Sequence, residues 1–207
     1  IVLEMKGEAR SILKVERTLL NLLSHMSGIA TLTRRAVKAA QSVNPQIRVA
    51  ATRKTLPGLR FLEKKAVAVG GGDPHRYDLG EMMIVKDNHI KIVGSVGEAA
   101  RRAKASCSFT SKVEVEVSSL TDAVDAVQSG ADILMLDNMK PDDIKKVVQA
   151  LESKGVRGRV ILEASGGVTL KNIERYARSG VDVISLGMLT HSSKALDFSL
   201  EISEVLT

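Results

Sequence analysis

Tryptophan is absent, and aromatic residues of all kinds make up 2% of the chain. So few rings leave almost nothing on which bases could stack, and no Lys/Arg-dense arm compensates, so nucleic acid is not an expected partner. The single cysteine, Cys107, excludes an intrachain disulfide, and with His25, His75, His89 and His191 it makes no zinc-ligand spacing. A reduced, cytoplasmic compartment is expected, with Cys107 in "KASCSF" a structural thiol. No apolar run approaches the ~18 residues of a membrane span, and the opening "IVLEMKGEARSIL" does not follow a signal-peptide pattern, so no membrane partner is expected. Also missing are a Pro/Gly/Ser-rich linker and any sequence repeat of roughly 20–50 residues.

What remains is a chain of 207 residues, 44% hydrophobic, which suffices for one substantial domain with a small appendage. Its formal charge of +6 points to an anionic partner, a phosphorylated small molecule among the possibilities. Two helical patterns come first, Ala9 to Met26 and about Gly28 to Ser42. After Pro45 six short apolar segments alternate with helical ones: "IRVAA" at 47–51, "MMIV" at 82–85, "VEVEV" at 113–117, "DILML" at 132–136, "RVILE" at 159–163 and "VDVISL" at 181–186. The helices between them read as 59–69, 95–105, 120–129, 140–153 and 169–179, with Gly130, Gly155 and Gly180 as stops.

That alternation predicts a parallel α/β sheet, and "VEVEV" selects a barrel over an open doubly wound layer. Its valines take one face while Glu114 and Glu116 take the other, whereas a strand covered on both sides reads as continuously apolar. The expected organisation is a helical segment 1–45, an open (β/α) barrel of six to seven strands over 46–193, and a closing amphipathic helix over 194–207.

In such barrels the chemistry sits at the C-terminal ends of the strands. Those ends carry Arg53-Lys54, Lys86-Asp87-Asn88, Glu116, Asp137-Asn138, Glu163 followed by "ASGG", and "SLG" at 185–187. Cations gather early, carboxylates in the middle, glycines last. "ASGGVT", read as running straight into a helix at Thr169, offers Ser165, Gly166 and Gly167 as an anion site or as a plain tight turn. Glu116 and Asp137 suit a hard divalent cation or sugar hydroxyls, or else an internal salt-bridge cluster with Lys54 and Lys86. The loop "GGGDPHRYDLGE" delivers His75 and Arg76 behind three glycines. At least four cations then share one mouth, a self-repelling arrangement unless a polyanion sits among them.

"ERTLLNLLSHMSGIAT" (16–31), "TRKTLPGLRFLEKKAVAVGGGDPHR" (52–76), "IVKDNHI" (84–90), "VEVEVSSL" (113–120), "ILMLDNM" (133–139), "LEASGGV" (162–168) and "ISLGMLTHS" (184–192) together resemble the motif series of the quinolinate phosphoribosyltransferase family, the carboxylating nicotinate-nucleotide pyrophosphorylases. The resemblance implies an open α/β barrel behind an N-terminal α/β sandwich domain, of which residues 1–45 resemble a remnant. It also implies a homodimer or higher homo-oligomer with shared active sites and the conversion of quinolinate and phosphoribosyl pyrophosphate to nicotinate mononucleotide, pyrophosphate and CO2. It assigns Arg53, His75, Arg76 and Lys86 to quinolinate, joined by Arg17 from the adjacent subunit. Lys54, Glu116 and Asp137 would face phosphoribosyl pyrophosphate and Mg2+, and Ser165, Gly166, Gly167 and Gly187 the 5-phosphate. Pro74 and "DLGE" depart from the family pattern around the loop. A relative acting on nicotinate, or a truncated, inactive phosphate-binding paralogue, is the alternative.

Overall fold

The computed structural model describes residues 1–205. Helix α1 (Ala9–Gln41) leads into β1 (Arg48–Ala50), α2 (Arg60–Val69), β2 (Met83–Val85), α3 (Asp87–Val93), α4 (Val96–Ser106), β3 (Val113–Val117) and α5 (Leu120–Gln128). Then follow β4 (Ile133–Asp137), α6 (Pro141–Ser153), β5 (Ile161–Ser165), α7 (Ile173–Ala177), β6 (Val183–Ser185) and α8 (Met188–His191).

Each of the six expected apolar segments overlaps a strand, β4 and β5 running one and two residues further, and all pairings are parallel in the order β1-β6-β5-β4-β3-β2. Strands β1 and β2 end the order on opposite sides with no ladder between them, so the barrel is open. The seam is filled by the glycine-rich loop. The Asp73 amide donates to the Val49 carbonyl (2.8 Å), and the Ala51 amide to the Asp73 carbonyl (2.9 Å).

Residue alternation sorts the strands as "VEVEV" requires. Val113, Val115, Val117, Leu134, Leu136, Leu162, Ala164 and Ile184 are buried in the main core, where β3 and β4 pack on α4 and α5. Each fully buried Leu or Ile contributes about 1.5–3 kcal/mol. The opposite face lines the interior in tiers set by register: Ile84, Glu114, Ile133 and Ile161 lowest, then Glu116, Met135, Glu163 and Val183, then Asp137, Ser165 and Ser185. Ser95 and Ser119 cap α4 and α5 by accepting the Glu98 and Asp122 amides, and the predicted stops Gly130, Gly155 and Gly180 hold φ of 96°, 67° and 92°.

Four expectations change. Helix α1 runs unbroken through Gly28, because glycine there serves a close crossing: a Cβ would collide with the Lys194 carbonyl, and the Leu196 amide donates to the Ser24 carbonyl (3.0 Å). Helix α3 was not anticipated; it starts directly after Lys86, whose amide donates to His89 Nδ1 (2.9 Å). Helix α7 begins only at Ile173, because the Asn172 side chain closes the preceding turn, accepting the Thr169 amide (2.7 Å) and donating to the Gly167 carbonyl (3.0 Å). The closing helix does not form: residues 193–205 carry no helix or strand, while 206 and 207 lie outside the described residues. Leu196, Phe198, Leu200 and Ile202 repeat every second residue, the period of extended chain rather than of a helix.

Candidate active site

The structure places Arg53, Lys86, Glu116 and Asp137 at or just past the C-terminal ends of β1, β2, β3 and β4. Arg53 follows β1 half-buried, and its Nε is buried with no partner among the described residues. A buried N–H left without an acceptor costs about 1–3 kcal/mol, a cost that an incoming anion removes. Arg76 is 8% exposed and donates from Nη1 to the Met82 carbonyl (2.9 Å), stitching the loop to the approach of β2. Burial and then the Arg53 charge lower the Arg76 pKa, with Glu114 and Asp78 opposing, so the two guanidinium groups repel across the mouth. Lys86 Nζ stands 3.7 Å from Glu116 Oε2. Arg17, expected from the adjacent subunit, is exposed on α1, and no hydrogen bond or ion pair joins it to these groups among the described residues.

Asp137 and Ser165 are register partners at the ends of β4 and β5. Asn138, at φ 53°, donates its amide to the Ser165 carbonyl (2.8 Å) and its Nδ2 to Asp137 Oδ2 (2.8 Å). Gly166 and Gly167 follow with φ of 84° and 65°. Side chains are excluded at Gly166, where a Cβ would strike Asn138 Oδ1. With α7 delayed to Ile173, these glycines do not run into a helix N-terminus. What they offer an anion is their own amides, which donate no hydrogen bond among the described residues. Gly187 is tight for another reason: its Cβ would lie 3.0 Å from His191 Nε2 and 3.1 Å from the Lys54 Cδ. The Thr190 hydroxyl fixes the same corner by donating to the Lys54 carbonyl (2.6 Å).

Below the mouth lies a cluster of buried charge. His75, at φ 56°, points Nε2 at Glu163 Oε2 (3.4 Å) and Glu114 Oε2 (3.9 Å). The Arg76 amide donates to His75 Nδ1 (2.8 Å). Burial lowers the His75 pKa, but the hydrogen bond and charge of Glu163, with Glu114, outweigh it and raise the value. The amide bond nevertheless requires a lone pair on Nδ1, so while it lasts the ring carries its one proton on Nε2. Burial, then the Glu163 charge, pushes Glu114 up to about 8, so this carboxyl is mostly protonated near neutral pH. His75, Glu114 and Glu163 offer atoms within 4.8 Å of one another, the spacing of a metal site. An Nε2 that holds a proton cannot ligate, and this favours a proton-sharing cluster over a metal centre.

Two further buried charges support the loops. Lys64, fully buried on α2, donates to the Arg76 carbonyl (2.7 Å) and to the Pro74 carbonyl, and burial, then Arg60, lowers it to about 8. Glu63, beside it, takes His25 Nε2 (2.8 Å) and the Leu56 amide (3.3 Å), fixing the loop after "TRK". A cavity of about 310 Å3 opens at the other end of the barrel, among Arg48, Lys112, Ile133, Ile161 and Val183, with His75 and Glu163 in its wall.

Residues 29–201 match the model of the quinolinate phosphoribosyl transferase C-terminal domain, and residues 1–27 that of the N-terminal domain. The chain is 55% identical to the probable nicotinate-nucleotide pyrophosphorylase [carboxylating] of Methanothermobacter thermautotrophicus over 97% of its own length and 72% of the relative's. Identity to the human nicotinate-nucleotide pyrophosphorylase [carboxylating] is 46%, over 97% of this chain and 67% of that one. Among solved structures, NadC from Streptococcus pyogenes superposes with a TM-score of 0.86 at 45% identity, covering 94% of this chain and 66% of the other. Sequence and fold agree: the chain belongs to the quinolinate phosphoribosyl transferase family.

Proposed function

We propose that the chain transfers a phosphoribosyl group from phosphoribosyl pyrophosphate to quinolinate, with decarboxylation to nicotinate mononucleotide. Besides family membership, the observation that carries this reading is the repulsion between Arg53 and Arg76, Arg53 Nε lacking an acceptor among the described residues, in a mouth that also holds the Lys86–Glu116 pair and Asp137. Two carboxylates on one small ring match that charge, and arginine's planar fork can bind a carboxylate with two parallel hydrogen bonds. Arg53, His75, Arg76 and Lys86 take quinolinate in this reading, Arg17 enters from the second copy of a homodimer, and the protein works in the cytoplasm. His75 acts there chiefly through its hold on Arg76, since both ring nitrogens are already engaged.

Glu116 and Asp137, half-buried oxygen donors on one interior face, fit Mg2+, which prefers a few carboxylates together with substrate phosphates. Bound there, Mg2+ supplies charge neutralisation for the departing pyrophosphate. Lys54 meets the same donor, while Ser165, Gly166, Gly167 and Gly187 cradle the 5-phosphate with backbone amides. The ring nitrogen attacks C1 as the C–O bond to pyrophosphate breaks. The carboxylates stabilise positive charge on the ribosyl carbon, and positioning supplies much of the rest. The 2-carboxylate then leaves as CO2, its electron pair held at C2 by the cationic nitrogen until a proton arrives.

The test incubates the chain with quinolinate, phosphoribosyl pyrophosphate and Mg2+, with nicotinate in parallel and Arg76→Ala as control, and follows nicotinate mononucleotide by chromatography. Product from quinolinate alone, lost in the variant, is the expected result. Product from nicotinate, or none from a folded sample, overturns it.

A further inference from the structure

Quinolinate recognition rests on where Arg76 points, and Arg76 belongs to a loop without helix or strand, entered through three glycines and passing a histidine at φ 56°. Such a segment has no ladder of its own to fix it. Two buried charged side chains from outside the loop do so. Lys64 comes up from α2 and binds the carbonyls of Pro74 and Arg76, the residues on either side of His75. Glu163, 3% exposed on β5, meets His75 Nε2 from the opposite side, and the ring passes that constraint on through Nδ1 to the Arg76 amide. Neither charge has an evident use in the chemistry, and burying a charge is costly unless the geometry repays it.

We propose that Glu163 and Lys64 are positioning residues that set the Arg76 guanidinium for the substrate's carboxylates, Glu163 through the His75 ring and Lys64 through the loop carbonyls. The inference rests on the function proposed above and assigns specificity to residues beneath the pocket rather than in it. The wall of the basal cavity includes Glu163, His75 and Arg76, so the same three side chains separate that space from the mouth.

The test compares Glu163→Gln, Glu163→Leu and Lys64→Met in the full chain. Glutamine keeps an oxygen that accepts the His75 N–H; leucine does not. Glu163→Leu and Lys64→Met are expected to raise the KM for quinolinate roughly tenfold or more while the KM for phosphoribosyl pyrophosphate stays within about twofold, and Glu163→Gln to restore most of the loss. Nitrogen-15 NMR of the imidazoles, recorded at a pH where His75 is neutral, gives a readout independent of turnover: wild type should show His75, identified by its absence in His75→Gln, protonated at Nε2 alone, and Glu163→Leu should shift its tautomer balance. Equal rises in both KM values, no rescue by glutamine, or a neutral His75 ring protonated at Nδ1 would overturn the proposal. A wild type without turnover but with the expected imidazole signal would count against the proposed reaction and leave the Glu163–His75 link standing.

Discussion

Glu114 and Glu116 sit two residues apart on the same face of one strand and meet different surroundings. Glu116, nearer the mouth, is half-buried, with Lys86 Nζ 3.7 Å from its Oε2. Glu114, one tier lower, is fully buried, has no hydrogen bond to either oxygen among the described residues, and is pushed up to about 8 by burial and by Glu163. One pleat repeat along a strand, roughly 7 Å, separates a group suited to bind a cation from one that holds a proton. Identity and spacing are equal, so depth decides.

The sharpest way to break that comparison is Glu116→Gln, expected to lower kcat/KM about a hundredfold or more with the melting temperature nearly unchanged. A loss of stability in place of activity would reverse the roles assigned to the two tiers. Lys86→Met removes the partner of Glu116 and should raise the KM for quinolinate about tenfold, readable in the same assay. Glu114→Gln should do the opposite of Glu116→Gln, leaving turnover near wild type and stabilising the fold. Between pH 4.5, the ordinary value, and about 8, the folded state holds a proton that the unfolded state has released. Wild-type stability therefore falls as pH rises through that window and levels off above it, whereas glutamine has no such loss. The advantage of the variant should grow steadily from pH 4.5 to about pH 8, as measured by denaturant midpoints, and a gap independent of pH would refute the buried-proton assignment. Glu98→Ala, on the solvent face of α4, sets the floor: neither activity nor midpoint should move beyond error.

How much of this was legible in the sequence also depends on depth. "VEVEV" disclosed both faces of its strand, because a period of two is visible without knowing the neighbours. The sorting of cations, carboxylates and glycines followed from strand ends alone. Lys64 and Glu63 were not legible: in "LRFLEKKAV" they resemble the exposed charges beside them, and only the return of the loop and of α1 onto α2 shows that both are buried. The interior orientation of Glu114 was readable, but its partner His75 comes from a loop whose path no periodicity encodes. Helix α3 escaped because "KDNHIKIV" opens on polar residues that suit a strand-end loop equally well. The delayed α7 shows that one asparagine side chain can win locally over helical periodicity.

The seam between β1 and β2 makes Arg76 a structural latch as well as a ligand-binding group. Two backbone hydrogen bonds at Asp73 and one guanidinium contact at Met82 tie the loop to the strands flanking that seam, whereas every other strand boundary is held by a ladder. Local opening there costs less than opening elsewhere in the sheet, so amide hydrogens of residues 49–51, Asp73, His75 and Arg76 should exchange before those of β3, β4 and β5. An anion that draws Arg76 toward the mouth pulls on the same latch, and substrate occupancy should therefore register as a change in exchange along the seam, on the side of the barrel remote from β4.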